Sequence, residues 1–273
     1  MNQRALIDRI TEVLGGLERV RGAFLGGSYG RGEADDFSDV DVYVVVANAD
    51  DVPKCLDELA NNLDKVQPIL FSNVLPNART IHSITKEWLR FDFTVLTQHE
   101  IVYFAQDQLR PLFDRLSVFE KMRPTAEHRR NLTADGLLEI VNEFIRVLGV
   151  SVVVNGRDDV VTAQTGTNLL RDMLIRIMTL ENGAQPQRGV LSLKRHLTQL
   201  QFSQLTNLPA LEATWPSVFA RSKALAEAFF PRARTLAAEL GATWPEEFER
   251  VTLARLRAKL GLDIETGVAR TPT

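Results

Sequence analysis

The stretch from Phe24 to Val46, FLGGSYGRGEADDFSDVDVYVVV, constrains this chain more than any other. A short apolar run ends at Gly26-Gly27-Ser28, and ten residues after Ser28 the segment Ser38-Asp39-Val40-Asp41 opens a β-branched run. Residues two apart in a strand point to one face, so Asp39 and Asp41 project together. Two carboxylates this close repel each other unless something positive sits between them, and a divalent metal with oxygen ligands is the usual answer. The Gly-Gly-Ser turn offers backbone N–H groups to anionic oxygens. The chain therefore needs a sheet that buries Val40–Val46 and leaves its mouth open to a metal and a phosphate.

The rest of the first half supplies such a sheet. Leu6, Ile7, Ile10, Val13, Leu14 and Leu17 recur at helical spacing and predict a helix over 3–17. Val20–Leu25 reads as a strand, and Ser28 is placed to cap a short helix starting at Tyr29. Glu33–Ser38 is an acidic loop, and Val40–Val46 is a central strand. Pro53 opens a helix reaching about Leu63. Strands follow at Gln67–Phe71, Arg79–Thr85 and Leu89–Leu96. In the last of these Phe91, Phe93 and Val95 alternate with Asp92, Thr94 and Leu96. A mixed sheet with one layer of helices is expected.

The pattern changes near Arg123-Pro124. Leu137, Leu138, Val141, Phe144, Ile145 and Leu148 form a helical stripe, and a second helix spans Val161–Leu180. Further helices are expected over Leu191–Leu200, Pro216–Phe229 and Arg232–Leu240, with a last one from Pro245 to about Leu260 and a frayed tail from Ile264. The fold class is thus α/β, a small mixed-sheet domain over 1–122 followed by an all-helical bundle domain over 123–273.

Several classes of function are disfavoured. The formal net charge of −3 gives no basic excess for a nucleic-acid partner. No stretch reaches bilayer-spanning apolar length, so no membrane partner is expected. The first residues lack the apolar core and cleavage site of a signal peptide. Cys55 is alone, which excludes an internal disulfide and a thiolate zinc cluster and fits a reducing compartment; a cytoplasmic location is expected. His82, His99, His128 and His196 show no zinc-like spacing.

A metal beside a phosphate cradle is the hardware of nucleotidyl transfer, which requires charge neutralisation and alignment of an incoming hydroxyl. A third carboxylate is needed to take the hydroxyl proton or complete a second metal. Asp92, flanked by Phe91 and Phe93, is the candidate, because an ionised carboxylate in an apolar strand is costly unless paired or coordinated. Asp35 and Asp36 read as solvated loop charges, and Glu33 as a substrate-contact candidate. Candidate phosphate ligands are Gly27, Ser28, Arg31, Lys194 and Arg195. Arg171 and Arg176 either reach the cleft or snorkel past the core. Tyr29, His82, Trp88 and Arg90 are candidates for the acceptor pocket.

The Gly27-Ser28 pair followed by Asp39-Val40-Asp41 resembles the DNA-polymerase-beta-like nucleotidyltransferase superfamily. Within it the phrase YGRGEADDFSDVDVYVV, the Leu89–Phe93 strand and the helical second half are most similar to the antibiotic nucleotidyltransferases, in particular the larger lincosamide enzymes. The resemblance implies that Asp39 and Asp41 bind Mg²⁺ and that Asp92 acts as base on the acceptor hydroxyl and stands with them among the metal ligands. Some relatives use glutamate there. It further implies a nucleoside triphosphate co-substrate, ATP being the expected donor. The acceptor would be a small molecule, a lincosamide or an aminoglycoside, as in antibiotic resistance. A basic residue from the helical domain would close a cleft between the domains, and a homodimer is a candidate assembly. Two rival readings are a nucleotidyltransferase acting on a protein or RNA acceptor, and a non-catalytic nucleotide-binding regulator or antitoxin. The missing basic stripe speaks against RNA, and the retained Asp92 against a degenerate scaffold.

Overall fold

The computed structural model describes residues 2–75, 77, 79–124, 133–183 and 193–267. The chain forms two compact units, Met1–Arg130 and Asn131–Thr273.

In the first unit, helix α1 (Gln3–Gly15) is capped by Asn2, whose side chain accepts from the Ala5 N–H at 2.9 Å. It is followed by β1 (Gly22–Leu25), α2 (Gly27–Gly30), β2 (Val40–Val46), α3 (Asp51–Val66), β3 (Ile69–Val74), β4 (Thr80–Thr85), β5 (Arg90–Thr97), α4 (Gln98–Ile101) and β6 (Arg110–Asp114). The sheet order is β3-β4-β5-β2-β1-β6. Among the described strands the β2–β5 pair at its centre is parallel and the other pairs are antiparallel. One face is the main core: Leu6, Ile10 and Leu14 of α1 and Leu56, Leu59 and Leu63 of α3 pack with Val40, Val42, Val44, Phe91, Phe93 and Val95. On the other face a second cluster among the described residues of this unit covers part of the sheet, where Phe24, Val45 and Leu96 meet Ile101, Leu109, Val118 and Met122. That second cover is a feature the expected single helical layer lacks.

Two local expectations are corrected. Strand β6 has no counterpart among the elements expected from sequence; its Pro111 hides it, but it sits at a sheet edge beside β1, where a proline is tolerated. Ser28 does not cap α2. It lies inside a helix whose N-cap is Gly26, and its Oγ is buried without a hydrogen-bond partner.

The second unit is all-helical: α5 (Ala134–Gly156), α6 (Val160–Glu181), α7 (Leu193–His196), α8 (Gln199–Thr206), α9 (Trp215–Leu240) and α10 (Glu246–Leu260). Phe144 stacks on Phe229 with ring centroids 3.7 Å apart, and Phe230 meets Phe144 edge-on at 5.6 Å. The helices expected at Pro216–Phe229 and Arg232–Leu240 are one, with Pro231 inside it. Proline removes a ladder hydrogen bond and crowds the preceding turn. Here Phe229, Phe230 and Ala233 are all buried on either side of it, and their packing keeps the helix running. The helix expected over Leu191–Leu200 is instead two short ones separated by Thr198, which forms a capping box with Gln201; residues 191 and 192 lie outside the described residues. Ile264 is buried in the helical core, so the chain is docked where fraying was expected; the tail beyond Gly267 lies outside the described residues. Among the described residues, no helix is long and apolar enough to cross a membrane.

Candidate active site

The acidic residues are set by strand register. Alternation along β2 sends Val40, Val42 and Val44 into the main core, and therefore Asp41 and Tyr43 to the opposite face. In β5 the same rule buries Phe91 and Phe93 and turns Asp92 to that face. The parallel ladder places Asp41 directly beside Asp92. Asp39, two residues before Asp41, precedes β2 on the same side, and Arg90 Nη1 reaches its Oδ2 at 3.8 Å. The row continues into β4, where His82 pairs with Asp92 in register and its Nδ1 lies 3.3 Å from Asp92 Oδ2. All of this lies on the part of the face that the second hydrophobic cluster leaves uncovered.

The glycine turn abuts the acids. The Gly26 N–H donates to the Asp41 carbonyl at 2.9 Å. Gly27 has φ +53, and a Cβ there would sit 1.8 Å from Asp41 Oδ2, so only glycine lets the α2 backbone come this close. A Cβ on Gly26 would strike the Tyr43 ring at 2.4 Å. The N–H groups that open a helix have no partner within it, and α2 opens beside Asp41. Ser28 adds its unpartnered buried hydroxyl.

Electrostatics register the crowding. Burial, then the neighbouring Asp39 and Asp92, push the Asp41 carboxyl up to about 6, against the opposing pull of Arg31 and His82. Burial also raises Asp92; His82 works against it, Asp39 adds to it, and the Ser83 N–H and Arg90 lower it. Burial and the Asp41 charge raise the Tyr43 hydroxyl. Among the described residues no three Asp, Glu, His or Cys side chains are gathered tightly enough to hold a metal ion between them. The donor set is nonetheless of the right kind for a hard divalent cation. Asp39 and Asp41 offer only carboxylate oxygens, and such an ion would offset the repulsion that Asp39 and Asp92 add to the burial of Asp41.

The other sequence candidates are placed as follows. Arg31 is close enough to lower the Asp41 carboxyl, and its Nε donates to Glu33 Oε2 at 2.8 Å, which occupies both residues with each other. Tyr29 packs against the main core, its hydroxyl raised by burial and by Asp35 and Asp36. Trp88 is 68% exposed in the β4–β5 turn, with φ +61. Arg90 also donates to the Phe37 carbonyl at 3.1 Å. Lys194 and Arg195 belong to the second unit, on α7, where the Lys194 ammonium lies 5.7 Å from the Phe202 ring centroid. Tyr43 is absent from the sequence candidates, and Gly26 enters them only as part of the Gly-Gly-Ser turn. The signal for Tyr43 is that it is the one aromatic in VDVYVVV, two residues after Asp41 and so on its face.

Residues 7–127 match the family model described as the nucleotidyltransferase domain. No curated protein matches the chain. Among solved structures, an aminoglycoside 6-adenyltransferase from Bacillus subtilis is similar at 15% identity, covering 92% of this chain and 95% of that one, with a TM-score of 0.44. A nucleotidyltransferase-like protein from Exiguobacterium sibiricum 255-15 is similar at 14% identity, covering 95% of this chain and 88% of that one, with a TM-score of 0.39. The matched segment, residues 7–127, carries the sheet and the acidic residues, and that segment is distantly related to nucleotidyltransferase domains.

Proposed function

We propose that this protein transfers a nucleoside monophosphate from a nucleoside triphosphate to a hydroxyl of a small molecule, a lincosamide or aminoglycoside antibiotic, and releases pyrophosphate. The observation that carries the reading is the in-register pairing of Asp41 with Asp92, with Gly27 pressed against Asp41 and the Ser28 hydroxyl left unpartnered beside it. Asp39 and Asp41 would hold Mg²⁺, with Asp92 the third candidate ligand; the ion would supply charge neutralisation on the triphosphate. The α2 backbone and Ser28 Oγ bind phosphate oxygens, and Arg31 adds positive charge. The acceptor oxygen attacks the α-phosphorus, and the bond from that phosphorus to the bridging oxygen breaks, its electron pair leaving with pyrophosphate. The hydroxyl proton passes to the Asp92 carboxylate, whose raised affinity for a proton suits a general base. ATP is the proposed donor. Lys194 and Arg195 are retained as proposed nucleotide contacts on the strength of their charge.

The test is mass spectrometry of lincosamides and aminoglycosides incubated with the protein, Mg²⁺ and each nucleoside triphosphate. A gain of one nucleoside monophosphate on a small molecule supports the reading. Transfer only to a protein or RNA, or Mg²⁺-dependent nucleotide binding with no transfer to anything, would replace it.

A further inference from the structure

The sheet register divides the open face in two. One row across four strands reads Asn73, His82, Asp92, Asp41; the adjacent row, two residues along each strand, reads Phe71, Ile84, Arg90, Asp39. The glycine turn lies on the β1 side of the Asp41–Asp92 pair, so phosphates that use it occupy that side. The other side, over β4 and β3, spans two strand spacings, about 10 Å. Its make-up is distinctive. Phe71 is 51% exposed on an edge strand, Ile84 stands opposite it, and the exposed Trp88 crowns the turn leading into β5. Trp88 sits in the left-handed region, where a bulky residue is an outlier, and such outliers concentrate at functional positions. The polar groups here are Asn73, His82 and Arg90. Strands β3 and β4 contribute no carboxylate, and Glu87 in the turn accepts from Gln67 Nε2 at 3.3 Å.

We infer that the acceptor lies over the β3–β4 half of this face, against Phe71, Ile84 and Trp88, and that it is a hydroxyl compound with an apolar flank. The inference rests on the transfer reading above and deepens it. A hydroxyl presented to Asp92 from this side leaves the rest of the molecule on an aromatic and aliphatic surface, with the Arg90 guanidinium at its edge 3.8 Å from Asp39. Asn73 and His82 supply hydrogen bonds to neighbouring hydroxyls.

Phe71→Ser and Trp88→Ala remove exposed side chains, so both variants should fold; matching circular dichroism and melting curves check this. The full chain and each variant are assayed with lincomycin, with a series of alkyl glucosides and with kanamycin as acceptors, and Mg²⁺-dependent binding of a fluorescent ATP analogue is measured alongside. The expected result is transfer to an apolar-flanked acceptor, with the acceptor KM raised about tenfold or more in each variant and analogue binding within about twofold of wild type. Kanamycin as the sole acceptor, no acceptor in the panel, or an acceptor KM indifferent to both substitutions overturns the inference. Loss of analogue binding by the unmodified protein is the separate result that overturns the transfer reading itself.

Discussion

Replacing Asp41 with Asn should make the metal-free protein more stable while removing its activity. The folded carboxyl titrates at about 6 against an ordinary 3.8, raised first by burial and then by Asp39 and Asp92. That difference corresponds to about 3 kcal/mol. Below pH 3.8 the carboxyl is protonated in folded and unfolded chains alike, and stability is unaffected. Between 3.8 and about 6 the unfolded chain releases its proton first, so stability falls as pH rises, and above 6 the loss is complete. Asn keeps the shape and carries no charge. The gain of Asp41→Asn should therefore approach about 3 kcal/mol at pH 7.5 and shrink to about 1 kcal/mol at pH 4.5. Urea denaturation in the presence of a chelator, at both pH values, reads it. Added Mg²⁺ should stabilise the wild type more than the variant, which keeps Asp39 and Asp92 but has lost one of the clustered carboxylates. A variant no more stable at pH 7.5, or a gain independent of pH, would refute the electrostatic account of this site.

Asp92→Asn should keep nucleotide binding and lose about 10²–10⁴ in turnover, read by pyrophosphate release; full turnover at every pH excludes the base role. Gly27→Ala should leave the melting temperature of the helical unit unchanged and reduce kcat/KM about a hundredfold, since the new methyl competes with Asp41 Oδ2 for space; near-normal kinetics would mean that α2 can retreat without cost. Glu249, 4% exposed, accepts from Arg234 Nη2 at 2.7 Å and Trp244 Nε1 at 2.5 Å. Glu249→Ala should destabilise the second unit by about 2–3 kcal/mol in urea, with Arg234 retaining Glu246, and a neutral result would show that the buried carboxylate is dispensable.

What could be read from sequence was what repeats locally. Alternation in β2 and β5 announced which residues face the core, and the glycine pair announced a turn that only glycine fits. The β6 strand was invisible because its pairing partner, β1, lies far back in the chain and its own residues carry no period. Pro231 was misleading for the converse reason: a local rule says break, and the buried Phe229, Phe230 and Ala233 overrule it. For the site, Asp39 and Asp41 were legible from their spacing. The neighbours that define Asp92, namely Asp41 across one ladder and His82 across the other, follow from the sheet order, which no window of sequence contains. Ser28 illustrates the limit at the level of a single hydroxyl. Its type fits a helix cap, yet Gly26 takes that position.

The parallel pairing of β2 with β5 separates two kinds of inheritance. Everything between Val46 and Arg90 is a long excursion that leaves the sheet centre and returns to it, carrying α3, β3 and β4. The distance between the two facing carboxylates is fixed by the ladder they share and not by the path of that excursion. Changes of length or side chain in β3 and in the turn before β5 therefore need not move Asp41 relative to Asp92. On the proposed function, side chains at the sheet's rim could then be exchanged to suit another acceptor while the two facing carboxylates keep their register.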